Sequence, residues 1–386
     1  MPDATAASPE RLRAYANLLA DCATIPRMAI EFSERIRRIP VYPVADGYSL
    51  GDGVAMLASN ESPDPPLPAV VEAAQRALAS VNRYPDPSNS KLKGALSDRY
   101  GVPSNRIAIG NGSCDILLAA GDALLEPGAE LVYAWPSFSV YPHLAAASGA
   151  TAVTVPLDAD QCHDLDAMNV EITAATRLVI VCNPNNPTST ALPADDIAAF
   201  AERVPRHVAL ILDEAYCEFN LLDDPHTTVD LLERHSNLVL LRTFSKVYGL
   251  CGLRVGFALC GSQDFPRAVD QVRQPFFCNA AAQAAAIEAL QHQDAVADRV
   301  ERSIMARLQV EEGLDALEIQ PAPSQTNFCW FDLPEGADEA AVVTGLAQRG
   351  VLVRAGAALG RKGALRVTYG TPSQNVRFLD ALAEVL

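Results

Sequence analysis

Lys246 follows two small hydroxyl residues, Thr243 and Ser245, and precedes Arg254 by eight positions in the stretch Thr243-Phe244-Ser245-Lys246-Val247-Tyr248-Gly249. Hydroxyls and a guanidinium suit a phosphate dianion. An amine held beside that anion can form a Schiff base with an aldehyde. Read alone, the stretch is equally a lysine and an arginine flanking a surface turn, so other segments must decide. Three of them follow apolar runs in the same way. Asn183 follows residues 178–182 and opens Asn183-Pro184-Asn185-Asn186-Pro187. Asp213 follows residues 208–212 and opens Asp213-Glu214-Ala215-Tyr216. Gly110-Asn111-Gly112-Ser113-Cys114 follows residues 107–109 and starts a helix, whose first amides can cradle an anion. An Asn-Pro turn, a helix-cap aspartate or a glycine-rich connection explains any one of these. Four at one edge of one sheet point to a ligand site.

The elements that must position them read as strands alternating with helices. Apolar runs at 107–109, 131–134, 152–156, 178–182, 208–212, 238–241 and 255–259 are separated mostly by helical segments. Continuous Val/Ile/Leu strands of this kind predict an α/β fold with a mostly parallel seven-stranded sheet covered on both faces. Ligands of such sheets sit beyond the carboxyl ends of the strands. Helical periodicity covers residues 68–80 and 90–100, with the rigid aromatic loop Asn82-Arg83-Tyr84-Pro85-Asp86-Pro87 between them. An Ala/Gln-rich helical stretch, 280–314, is expected to bridge to a smaller α+β domain with strands at 327–332, 351–354 and 365–369. Ser8-Pro9 marks a helix start, and a further helix is expected over 29–38. The expected organisation is an N-terminal helical extension (1–34), an arm that contributes to the small domain and dimer contacts (35–67), a large cofactor domain (68–275), and a linking helix with the small domain (276–386). Within the arm, Asn60 reads on spacing alone as a turn residue.

At 386 residues the chain can bury a large core, and 49% hydrophobic with 20% charged residues is ordinary for a globular enzyme. A net charge of −17 argues against nucleic acid or an anionic membrane as partner. Nine cysteines without a Cys-x-x-Cys pair or metal-ligand spacing argue against a disulfide framework or a metal site. No apolar run reaches the ~18 residues of a membrane span, and no signal-peptide pattern is present, so a cytoplasmic protein is expected.

Together Asn-Pro-Asn-Asn-Pro-Thr, Asp-Glu-Ala-Tyr and Thr-Phe-Ser-Lys…Gly-Leu-Arg-Val-Gly resemble the pyridoxal-phosphate aminotransferases of fold type I. The subgroup most resembled is histidinol-phosphate aminotransferase, from about Arg35 to the C-terminus. Ala134-Trp135-Pro136-Ser137-Phe138, His163 to Met168 and Pro323 to Phe328 also resemble an actinobacterial aromatic-aminotransferase branch.

The resemblance implies roles. Lys246 would hold pyridoxal 5'-phosphate and move a proton between substrate and cofactor. Asp213 would pair with the pyridine nitrogen, and Asn183 and Tyr216 would bond the ring's phenolic oxygen. Gly112, Ser113, Cys114, Thr243, Ser245 and Arg254 would surround the phosphate, with Phe138 on the ring face. Tyr84 would reach the phosphate of a second subunit, making the protein a homodimer with shared sites. Arg366 would clamp a substrate carboxylate, with Arg354, Tyr42 and Asn60 as further substrate contacts.

The chain also departs from the subgroup. Cys114 replaces a commonly acidic residue, and Ser189 replaces the glycine usual after Asn-Pro-Asn-Asn-Pro-Thr. The arm reads Val41-Tyr42-Pro43-Val44, and Gln274-Pro275-Phe276-Phe277-Cys278 replaces the usual Pro-Phe-Asn-Val. The last two lie where side-chain selectivity is set. The resemblance implies ping-pong amino transfer between histidinol phosphate and 2-oxoglutarate. An aromatic substrate such as phenylalanine is the first alternative, with Phe276, Phe277 and Trp135 as ring contacts. Decarboxylation of a phosphorylated amino acid is the second. A non-enzymatic regulator is disfavoured because the cofactor positions are filled and no basic DNA-binding segment is present.

Overall fold

A computed structural model describes residue 30, residues 32–39 and residues 53–386. Most of the expected N-terminal extension, much of the arm and Tyr42 lie outside the described residues. Of the helix expected over 29–38, the described part is α1 (Glu34–Arg38), preceded by Ser33 in extended backbone.

The main sheet contains β2 (Ile107–Gly110), β3 (Glu130–Trp135), β4 (Thr151–Pro156), β5 (Thr176–Cys182), β6 (Ala209–Asp213), β7 (Leu238–Thr243) and β8 (Gly256–Cys260). Their order is β2-β8-β7-β6-β5-β3-β4. Every strand runs in one direction except β8, which is antiparallel to both its neighbours. Alternation along the strands feeds two cores. Val179, Leu210 and Leu240 face one, packed with helices α2 (Pro68–Leu78) and α3 (Ser90–Tyr100). Ile180, Ile211 and Leu241 face the other, packed with α4 (Ser113–Leu124) and α5 (Tyr141–Ser148). Burial on both faces is why these strands read as unbroken apolar runs.

Helices α6 (Leu165–Val170), α7 (Ala194–Arg203) and α8 (Asp264–Val272) complete the layers around this sheet. Next, α9 (Ala280–Ala289) buries Ala282, Ala285 and Ala286 in the first core, beside α2. Then α10 (Gln293–Asp315) delivers Val310 and Leu314 to a third core, shared with Phe378 and Leu382 of α12 (Pro372–Val385). The change from large to small core therefore falls within α10, inside the stretch 280–314 expected to bridge them. Alanine-rich composition gives no sign of which core a helix serves.

The third core lies under a three-stranded antiparallel sheet and a two-stranded parallel one. The first orders β11 (Arg354–Ala355), β12 (Ala364–Thr368) and β9 (Phe328–Asp332). The second pairs β1 (Ala55–Met56) with β10 (Val351–Leu352), beside α11 (Glu339–Gln348). The single strand expected at 351–354 is thus divided. Residues before Val353 pair with the arm, and residues after it pair with β12. In register, Arg354 stands opposite Arg366.

Candidate active site

Strands β5, β6 and β7 all end at one edge of the main sheet, in Cys182, Asp213 and Thr243. There a cavity of about 480 Å³ opens between the sheet edge, the arm and the small sheet. Lys246, Asp213, Tyr216, Phe138, Arg254, Arg354 and Arg366 all line it.

The Lys246 amine donates to Ser59 O at 3.2 Å and to Asn60 O at 3.1 Å. Burial, followed by the Arg366 charge, pushes its pKa down from 10.5 to about 8. That raises the uncharged fraction at neutral pH by about two to three powers of ten. Burial pushes the Asp213 carboxyl up to about 6, opposed by a hydrogen bond from Tyr141. Tyr141 Oη donates to Asp213 Oδ2 at 2.8 Å, and Ala215 N donates to Oδ1 at 3.3 Å. A buried carboxylate with this donor set suits a cationic ring nitrogen. Sequence reading missed Tyr141; its one cue is its position a helical turn after Phe138, against which it packs edge-on at 5.7 Å.

The anion cradle is held open by glycines. A Cβ on Gly112 (φ +82°) would lie 2.5 Å from Arg254 Nη2, and one on Gly256 would lie 2.4 Å from Ser113 N. Only hydrogen at both positions lets the guanidinium and the first amides of α4 converge. Thr243 Oγ1 donates to Ser245 Oγ at 2.9 Å beside them. Cys114 also lines this wall, and burial raises its thiol pKa. Hydroxyls, helix amides, a guanidinium and a nearby amine fit a phosphorylated aldehyde.

Asn183 requires correction. Its Nδ2 donates to Leu192 O at 2.9 Å and its Oδ1 accepts from Leu192 N at 2.8 Å, so the side chain is engaged in bracing its own loop. Asn186 lines the cavity instead. Its Oδ1 accepts from Arg366 Nη1 at 2.7 Å, while Arg366 Nη2 donates to Ala58 O at 2.6 Å. Arg354 lines the same cavity, and its guanidinium has no hydrogen-bond or ion-pair partner among the described residues.

Asn60 is also more than a turn residue, and it lines the cavity. It is 1% exposed, and each of its four polar atoms has an internal partner. Trp135, Phe276 and Phe277 are not among the residues lining the cavity. Trp135 packs against Gly360, Phe277 lies under Arg273 at 3.7 Å, and Phe276 stacks on Tyr84 at 4.4 Å. Tyr84 itself is 81% exposed and away from the cavity of its own chain. Ser189 is buried with φ +63°, the left-handed backbone that glycine adopts freely.

A second cavity, about 360 Å³, is lined by Phe219, Val247, Met305 and Tyr369. Its arginines are already engaged: Arg299 with Val247 O and Pro65 O, and Arg302 with Asp64. It carries none of the groups described above. No helix among the described residues is long and apolar enough to cross a membrane, and no His/Cys/Asp/Glu cluster among them could hold a metal ion.

The sequence profile of aminotransferase class I and II matches residues 52–382. An aromatic amino acid aminotransferase of Cutibacterium acnes is 39% identical over 351 residues, covering 91% of this chain and 97% of that protein. A histidinol-phosphate aminotransferase of Bacillus licheniformis is 40% identical over 347 residues, covering 90% and 95%. The crystal structure of histidinol-phosphate aminotransferase from Sinorhizobium meliloti, in complex with pyridoxal 5'-phosphate, superposes with a TM-score of 0.83 at 30% identity. That match covers 93% of this chain and 98% of the other.

Proposed function

Since the chain belongs to the class I and II aminotransferases, enzymes dependent on pyridoxal phosphate, we propose that it moves an amino group between histidinol phosphate and 2-oxoglutarate. The observation that carries this choice is Arg354, a guanidinium without a partner among the described residues, facing the same cavity as Arg366. Histidinol phosphate carries a phosphate dianion and no α-carboxylate, and two guanidiniums on one wall suit that dianion better than one. Among the described residues, the aromatic side chains of the cavity wall are Phe138 and Tyr216.

Pyridoxal phosphate supplies the electron sink that makes a substrate Cα–H acidic. The chain supplies the rest. Lys246 would hold the cofactor and would take and return the proton at the substrate Cα. Its lowered pKa suits that exchange. Asp213 holds the proton on the ring nitrogen. Tyr216 and Asn186 take the role at the phenolic oxygen first expected of Tyr216 and Asn183. Gly112, Ser113, Cys114, Thr243, Ser245 and Arg254 hold the phosphate, and Phe138 covers the ring. Arg366 binds the α-carboxylate of the keto acid and of glutamate.

We place Tyr84 in the site of a second copy of the chain. Its exposure and its stacking on Phe276 leave its hydroxyl free to cross an interface. A cytoplasmic location fits the eight described cysteines, all of them free thiols.

A transamination screen with histidinol phosphate, phenylalanine and tyrosine against 2-oxoglutarate tests the proposal. Turnover of phenylalanine with none of histidinol phosphate overturns the substrate, and the aromatic reading then follows the Cutibacterium acnes relative. Carbon dioxide release without amino transfer would restore the decarboxylase alternative.

A further inference from the structure

Asn60 lies in the arm, yet its bonds reach both larger parts of the molecule. Its amide N–H donates to Thr368 Oγ1 at 2.9 Å, and that hydroxyl donates to Asn60 Oδ1 at 3.2 Å. With the side-chain oxygen so engaged, the other end is the NH₂ group, which donates to Tyr216 Oη at 2.9 Å. Asn60 O accepts from Lys246 Nζ at 3.1 Å and from Asn327 Nδ2 at 3.2 Å. The backbone at Asn60 is left-handed, with φ +55°. Consecutive carbonyls point apart in extended backbone and to one side in a left-handed turn. Both Ser59 O and Asn60 O therefore reach the same amine.

We propose that Asn60 is a positioning residue that sets the direction of the Tyr216 proton and the resting place of the Lys246 amine. The inference rests on the reading of Tyr216 and Lys246 as cofactor-contacting groups. A phenol oxygen that accepts from an amide keeps its own hydrogen for another acceptor. Tyr216 is thereby fixed as a donor into the cavity, towards the phenolic oxygen of the cofactor. The paired carbonyls give the lysine amine a defined acceptor site near the substrate carbon whenever it is not bound to cofactor. Because Thr368 and Asn327 lie at the small sheet, placement of that sheet and orientation of both groups are one arrangement.

Three variants separate the parts. Asn60→Gly keeps the left-handed turn and removes the amide. Asn60→Val, β-branched, disfavours the turn as well. Tyr216→Phe removes the group on which the amide acts. In cofactor-free protein, the pH dependence of reductive methylation at Lys246 is read by peptide mass. The midpoint should lie near 8 in wild type, stay within a few tenths of a unit in Asn60→Gly, and fall by about half a unit or more in Asn60→Val. Identical midpoints in wild type, Asn60→Gly and Asn60→Val would overturn the lysine half.

In holoenzyme, the pH midpoint of the cofactor's absorbance change is followed. Asn60→Gly and Tyr216→Phe should displace it in the same direction, and the double variant should match Tyr216→Phe. A full additive shift, or none in Asn60→Gly, overturns the tyrosine half. No shift in Tyr216→Phe overturns that half together with the assignment of Tyr216 to the ring. The lysine half is still decided on cofactor-free protein.

Discussion

Arg354 and Arg366 stand directly opposite each other on adjacent antiparallel strands, two guanidiniums facing one cavity. Like charges so paired repel. Arg366 is tethered to Asn186 and to the carbonyl of Ala58, whereas Arg354 has no such tether among the described residues. An anion placed between them would relieve that repulsion.

Replacing Arg354 with alanine should lower kcat/KM for histidinol phosphate by about 2–4 kcal/mol, roughly 30- to 1000-fold. Thermal stability should stay level or rise by about 0.2–1 kcal/mol as the repulsion is removed. Steady-state kinetics with less than a threefold loss would sink the phosphate-site reading. If the substrate is aromatic instead, Arg354→Ala should matter little and Arg366→Ala should damage both half-reactions.

Borohydride treatment of the holoenzyme should fix the cofactor on Lys246 alone, as peptide mapping will read. Lys246→Ala should retain cofactor only reversibly and turn over negligibly. Ordinary turnover by that variant would remove the central assignment.

Asp213 gives a pH signature. Its folded carboxyl titrates near 6 against an ordinary 3.8, so the native state keeps a proton that the unfolded chain has released. Stability of the cofactor-free protein should therefore fall as pH rises from about 4 to 6, by an upper limit of about 3 kcal/mol. Cofactor-free Asp213→Asn should be more stable than wild type at about pH 7.5, with the advantage vanishing below about pH 4. Parallel melting curves across that range would count against a buried, uncompensated carboxylate.

Tyr84→Phe should weaken cofactor retention by about 1.5–3 kcal/mol without unfolding the protein, because one charge-assisted hydrogen bond is lost. Mixing inactive Lys246→Ala subunits with inactive Tyr84→Ala subunits should restore one working site per heterodimer. Verified heterodimers without activity would place Tyr84 outside the partner's site.

Ser189→Gly should stabilise the protein by about 0.5–1.5 kcal/mol. The serine is buried in left-handed backbone, and its hydroxyl has no partner among the described residues. Glycine removes both penalties and adds chain entropy to the unfolded state, which limits the gain. A lower Tm would mean that the loop needs the hydroxyl.

Residues whose chemistry is local were legible in the sequence. Lys246, Asp213 and Ser113 follow apolar strands, and strand ends fix where they must lie. What stayed hidden depends on loop paths and distant partners. Asn183 and Asn186 share one short motif, and only the course of the loop decides which faces the cavity. Asn60 looked like a turn residue and is one by its backbone, but its partner Thr368 lies 308 positions away. Tyr141 carries no mark of its bond to Asp213, because a buried tyrosine at a helix start is ordinary core composition. The division of the strand around Val353 was equally invisible, since both halves read as extended.

The pairing of Ala55 with Val351 bears on how the chain is made. Ala55 and Leu57 belong to the third core, whose other members are encoded at the far end. At roughly 5–20 residues per second, a ribosome needs about 15–60 s to bring Val351 out after Ala55. Through that interval the sheet of seven strands can assemble, while the arm waits with its apolar residues uncovered. The small sheet closes last, and with it the carbonyls that receive Lys246. A newborn chain thus has its anion cradle before it has a complete active site.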